Sequence, residues 1–193
     1  MRKAILYSGF LRSWNACKQN QLDCIGEGDK YFYTYELPDA VDYVQAIQIP
    51  EIYYAPIAEH LYMSNKNPFS SIDSPLNSWH NQYVNFCLVP QGYDVYIKSR
   101  CDIQLSGTIN FNEFNINNTN IYILSGNDHY NGVNDQFAFG SYEIMKKYFS
   151  VYVNHRAVFD TGEMFHPEGY VTKNLQMLGV NIIRLNITNT ILR

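Results

Sequence analysis

No stretch of this chain is apolar for long enough to cross a membrane. The run Ala4 to Tyr7 is also too short for the core of a signal peptide. Charge is scarce as well: 17% of the residues are Asp, Glu, Lys or Arg, and they leave a net charge of -4. That balance argues against a protein held to nucleic acid by a general basic surface and leaves room only for a local basic pocket, so no nucleic-acid partner is expected. The four cysteines, at 17, 24, 87 and 101, form neither a CxxC pair nor a zinc spacing and are read as reduced thiols. GxGxxG, Walker, GxSxG and HExxH signatures are all missing, so dinucleotide, P-loop, serine-hydrolase and zinc-protease chemistry start without support. His60, His80, His129 and His155 have no partner at metal spacing and receive no role.

What the chain does have is a foldable composition. Hydrophobic residues make up 46% of 193 positions, enough for a substantial core without metal or disulfide staples. One domain spanning residues 1–193 is expected. Seventeen tyrosines are many for this length. They reflect either a biased coding composition, since Asn and Ile rise with them, or rings lining a sugar or base site.

The front of the chain alternates strand and helix. Lys3 to Tyr7 reads as a buried first strand, ending in Ser8 and Gly9. A helix then follows with Ser13 as its cap and Trp14, Cys17, Leu22 and Ile25 inward, stopped by Gly26 and Gly28. Asp29 to Glu36 reads as a buried strand, Tyr43 to Ile49 as a helical turn or short strand, and Ile52 to Tyr54 as another strand. His60 to Ser71 reads as a surface loop. Ser74 and Pro75 open an amphipathic helix carrying Trp79, Tyr83, Phe86 and Cys87. It leads to the stretch Tyr93 to Ile103, a strand tipped by Arg100 and Asp102. These two share a side if the extended backbone continues.

Later segments are more mixed. Ile121 to Leu124 is a strand candidate, and Phe137 to Gly140 is a short apolar run after a polar loop. Ser141 caps a helix running to about Tyr152; His155 to His166 reads as irregular; Pro167 opens a last helix, and Val180 to Leu185 is the closing strand. The pattern predicts an α/β fold of Rossmann-like type: a mixed, mostly parallel central sheet flanked by helices, with an antiparallel element late in the chain.

Four polar clusters stand out, each with an ordinary alternative. Arg100 and Asp102 lie where ligands bind in open α/β sheets; they could hold phosphate and metal, or simply pair with each other. Gly9 and Arg12 follow the first strand; they could meet a nucleotide, or form a plain turn. Asp135, between Asn134 and Gln136, could be a general base, or a turn residue satisfying its own backbone. Glu168, after His166 and Pro167, could act in a cleft, or only favour a helix N-terminus.

Together Ser8-Gly9-Phe10-Leu11-Arg12-Ser13, Tyr93 through Asp102, and Asn134-Asp135-Gln136-Phe137-Ala138-Phe139-Gly140-Ser141 resemble small GT-A-type glycosyltransferases of surface-polysaccharide synthesis. These are the WavE-like lipopolysaccharide proteins of bacteria and their relatives in large DNA viruses. Pro167-Glu168 before a helix fits too, and the resemblance covers most of the chain in order. It implies a nucleotide-diphosphate sugar donor bound by residues 1 to about 105 and a carbohydrate acceptor bound by about 106 to 193. Gly9, Arg12, Arg100 and Asp102 would bind the nucleotide sugar, with Asp102 as ligand of a divalent metal, Mn²⁺ or Mg²⁺. Arg100 stands where the first aspartate of an Asp-x-Asp motif would be, and could bring part of the charge that a metal otherwise supplies. Asp135 and Glu168 would be the catalytic candidates. The expected activity is hexosyl or deoxyhexosyl transfer in glycan synthesis, in the cytoplasm, or the host cytoplasm if viral. The alternatives are a non-catalytic nucleotide- or carbohydrate-binding α/β domain and another nucleotide-using enzyme such as a methyltransferase.

Overall fold

In this computed structural model, residues 1–39, 42–49, 73–129 and 131–192 are described. Strand β1 (Lys3–Gly9) is followed by α1 (Trp14–Ile25), β2 (Asp29–Thr34) and β3 (Gln45–Gln48). Then come α2 (Asp73–Leu88), β4 (Val95–Ser99), β5 (Ile103–Leu105), a 3-10 turn at Phe111–Glu113, β6 (Asn120–Leu124) and β7 (Phe137–Gly140). Helices α3 (Tyr142–Phe149), α4 (Val151–Asp160) and α5 (Pro167–Met177) precede β8 (Asn181–Leu185) and β9 (Asn189–Ile191). The strand predicted at Ile52 to Tyr54 and the loop at His60 to Ser71 lie outside the described residues. Among the described residues no helix is long and apolar enough to cross a membrane.

Seven strands form one sheet in the order β3-β2-β1-β4-β7-β6-β8, and β5 pairs with β9 in a separate ribbon. Only β7 runs against the rest, pairing antiparallel with both β4 and β6. The predicted α/β fold with a late antiparallel element is the one observed. Period-2 alternation sorts the core into two layers. Ala4, Leu6 and Tyr96 face a cluster built with α2, α3, α4 and α5. Ile5, Tyr7, Val95 and Ile97 face α1, the 3-10 turn and β5.

Local chemistry accounts for several element ends. Gly26 ends α1 at φ +72°, its N–H donating to Leu22 O at 2.8 Å. Ser141 caps α3 through its hydroxyl, 3.3 Å from the Ile144 N–H. Pro167 opens α5.

Five expectations are corrected. Ser13 stands at the N-cap of α1 but makes no cap bond; its hydroxyl donates to Leu192 O at 3.0 Å, tying the helix to the last strand. Ser74 lies inside α2 rather than capping it. The stretch read as irregular from His155 contains most of α4, because Val151, Val158 and Phe159 form one buried helical stripe that begins before it. Val180 to Leu185 is not the closing strand, since β9 follows and pairs with β5, Ile103 opposite Ile191. Finally, β4 ends at Ser99, so Arg100 and Asp102 sit on a turn and not on a continued strand.

Candidate functional site

The strand order reverses between β1 and β4: β2 and β3 lie to one side of β1, and β4 to the other. In open α/β sheets the crevice outside the carboxyl ends at such a point takes ligands. Here it is a cleft of about 320 Å³, lined by Gly9 and Arg12 after β1, by Lys98 to Asp102, and by Asp135. The volume falls in the range of small-molecule sites.

Gly9 has φ +95°, and a Cβ there would meet nothing within 4 Å. Glycine is therefore required by the backbone angle, and the cleft wall stays open beside it. Arg12, itself at φ +28°, lays its guanidinium 5.3 Å from the Phe10 ring centroid. Phe10 in turn stacks on Tyr35 at 4.3 Å. These rings form an aromatic rim, with Phe10 46% exposed.

Arg100 and Asp102 form a bidentate clasp. Arg100 Nε donates to Asp102 Oδ1 at 2.8 Å and Nη2 donates to Oδ2 at 2.7 Å. Burial pushes the Asp102 carboxyl up, but the hydrogen bonds and charge of Arg100 hold it below the usual carboxylate range. The turn that carries the clasp is fixed from α1. Gln21, fully buried, donates to Arg100 O at 2.8 Å and to Ile103 O at 3.0 Å, and accepts from Ser99 Oγ at 2.9 Å. Cys101 between them is buried, and burial pushes its thiol well up, which disfavours the thiolate.

Asp135 reaches the cleft because β7 is antiparallel. Ser99 at the exit of β4 pairs with Phe137 at the entry of β7, so the residues before β7 lie beside those after β4. The backbone of this loop is strongly held. Asn134 accepts from the Gln136 N–H at 2.8 Å and donates to Asn189 Oδ1 at 2.8 Å. The Asp135 carbonyl accepts from Tyr148 Oη at 3.0 Å and from the Lys98 ammonium. Its carboxylate makes no hydrogen bond or ion pair with a described residue and is left facing the cleft.

Lys98 was not singled out by sequence. It is 4% exposed and is the second-last residue of β4, on the same face as Tyr96, toward α2 and α5. Burial lowers its pKa to about 8, against the opposing pull of Asp135. Its signal was a lysine at an inward position of an apolar strand, two residues before Arg100. Tyr35, Asn77 and Asn81 were missed too; Asn77 and Asn81 lie one turn apart on α2, and both donate to Tyr35 Oη.

Glu168 does not line the cleft. It lies behind the Asp135 loop, where Gly132 packs so tightly that a Cβ would come within 2.1 Å of the Glu168 backbone. Burial, then the nearby Asp135 charge, raises its carboxyl to about 7. Its Oε2 is 2.5 Å from His166 Nδ1, whose own pKa burial lowers.

A divalent cation does not fit these residues. Both oxygens of Asp102, the expected ligand, accept from Arg100, and its side chain is 5% exposed. Among the described residues no group of three His, Cys, Asp or Glu is placed to hold a metal.

The architecture is an α/β domain with a mixed, mostly parallel seven-stranded sheet flanked by helices. The crystal structure of the glycosyltransferase GlyE from Streptococcus pneumoniae TIGR4 is similar to it, with a TM-score of 0.54 and 10% identity over 96% of this chain. The chain spans about half of that protein, 46% of its length. At such identity the likeness is one of fold, and it does not reach the WavE-like group that the motifs suggested. No family model and no curated protein matches the chain.

Proposed function

We propose that the protein is a glycosyltransferase that moves a hexosyl or deoxyhexosyl group from a nucleotide-diphosphate sugar to a carbohydrate acceptor. The observation that carries this reading is one cleft facing two ways. The Arg100 guanidinium lies at the strand switch point, and the unpaired Asp135 carboxylate lies beside it. In the reaction, the bond from the sugar C1 to the diphosphate oxygen breaks and a bond from C1 to the acceptor oxygen forms. The diphosphate leaves with the electron pair, and the guanidinium stabilises the charge it develops. The hydroxyl proton goes to Asp135, as an inverting transfer requires. The aromatic rim of Phe10 and Tyr35 offers a flat surface to a base or sugar ring. The donor would use the β1–β4 side and the acceptor the later segments.

A panel of nucleotide sugars tests this by thermal stabilisation and by turnover. Stabilisation is expected for at least one donor. Asp135→Asn is expected to keep that stabilisation and lose turnover about 10²–10⁴-fold. Full turnover in both Asp135→Asn and Glu168→Gln removes the base assignment. Stabilisation without turnover in the unmodified protein favours the non-catalytic binding domain instead.

A further inference from the structure

We propose that the donor's diphosphate is held by side-chain cations alone, centred on Arg100, with no divalent cation in the site. This rests on the glycosyltransferase reading and extends it to the charge chemistry of the ligand.

Asp102 acts as a buttress for Arg100, not as a metal ligand. Of the five N–H donors of a guanidinium, two are spent on Asp102, and three remain. The Arg100 side chain is 38% exposed while its partner carboxylate is 5% exposed, so what the cleft meets is the cation. Its planar fork, held rigid from behind, matches two phosphate oxygens at once. The backbone is held on both sides: the Arg100 carbonyl accepts from Gln21 at 2.8 Å, and its N–H donates to Gln136 O at 3.2 Å. A metal at Asp102 would have to break the clasp and leave the guanidinium without its partner.

The charge balance agrees. Among the described lining residues Arg12, Lys98 and Arg100 carry three positive charges, and Asp102 and Asp135 carry two negative ones, leaving +1. The chain as a whole carries -4. A metal-binding carboxylate pair makes a site that is acidic until the ion arrives; this cleft is cationic without one. Buried Lys98 and exposed Arg12 add their charge to that of Arg100 in the same cleft.

The test is calorimetric titration of the full chain with UDP, GDP, CDP and ADP and their common sugar conjugates, in EDTA and with added Mn²⁺ or Mg²⁺. Binding is expected in EDTA, with Kd changed less than about threefold by either metal. Arg100→Ala is expected to weaken it about 10–100-fold in both conditions. Arg100→Lys, which keeps the charge and tolerates the site better, is expected to weaken it about 3–10-fold because the fork is lost. Asp102→Asn is expected to weaken binding in EDTA as much as with metal. Binding abolished by EDTA and restored by Mn²⁺ or Mg²⁺ overturns the proposal while leaving the glycosyltransferase reading standing. So does unchanged metal-free affinity in Arg100→Lys and Asp102→Asn. Failure of every nucleotide and nucleotide sugar in both conditions overturns both.

Discussion

Single side chains at this site act through what surrounds them. Gln21 does not itself line the cleft, yet it satisfies three polar groups of the turn that carries Arg100. Gln21→Leu keeps the volume and leaves those groups buried without partners. A loss of about 2–4 kcal/mol is expected in urea denaturation. A loss below about 0.5 kcal/mol would show that the turn finds other partners. Lys98 is the reverse case: its burial opposes folding while it serves the site. In Lys98→Met the Asp135 carbonyl keeps its bond from Tyr148. Stability at pH 7 is expected to hold or rise by up to about 2 kcal/mol, and nucleoside-diphosphate affinity to fall at least about tenfold. Loss of both together would make Lys98 an ordinary structural residue. The tyrosine excess follows the same logic. Tyr7, Tyr31, Tyr96, Tyr148 and Tyr170 are fully buried core residues, and it is Tyr35 that stands at the cleft.

Among the elements, the three-residue β9 has the widest reach. Leu192, just after it, donates its N–H to Asp102 O at 2.8 Å. Asn189, at its start, accepts from Asn134 and donates to Gln136, gripping both neighbours of Asp135. The short strand therefore joins the Arg100 end of the cleft to its Asp135 end. Asn189→Leu is expected to cost about 1–3 kcal/mol, because buried Gln136 Oε1 loses its donor and Asn134 Nδ2 keeps only its bond to Gly126 O. It should also lower turnover more than donor affinity, because the Asp135 loop loosens while the Arg100 clasp is held from Gln21. Equal loss of both would mean that β9 supports the whole cleft without distinction. Sequence did not reveal β9, since its residues pair with β5 residues 84 to 88 positions earlier and three residues carry no period.

For the molecule as a whole, two buried groups of opposite charge give a stability profile with a minimum near neutrality. Glu168 keeps its proton in the fold up to about 7, against an ordinary 4.5. Between those values the folded chain binds more protons than the unfolded one, so stability falls as pH rises. Lys98 gives up its proton in the fold near 8, against an ordinary 10.5. There the unfolded chain binds more, and stability rises with pH. The groups facing them are Asp135, Arg100, Asp102 and Glu168 for Lys98, and Asp135, Lys98, Arg100 and His166 for Glu168. Urea midpoints measured from pH 4.5 to 10.5 are expected to lose the acid-side fall in Glu168→Gln and the alkaline-side rise in Lys98→Met. Variant profiles parallel to the unmodified protein would refute both assignments. The sequence by itself determined the strand-helix order from β1 to β4, the need for a glycine after β1, the Ser141 cap, and three polar clusters that reach the cleft. These are local matters, set by backbone angles and by apolar spacing within one element. Only the tertiary structure decided that β7 runs backwards and so brings Asp135 beside Arg100. It also decided that Arg100 claims Asp102, that Lys98 is buried, and that Glu168 stands behind the wall. Pairing and desolvation depend on neighbours tens of residues away, and no local pattern specifies which neighbours those will be.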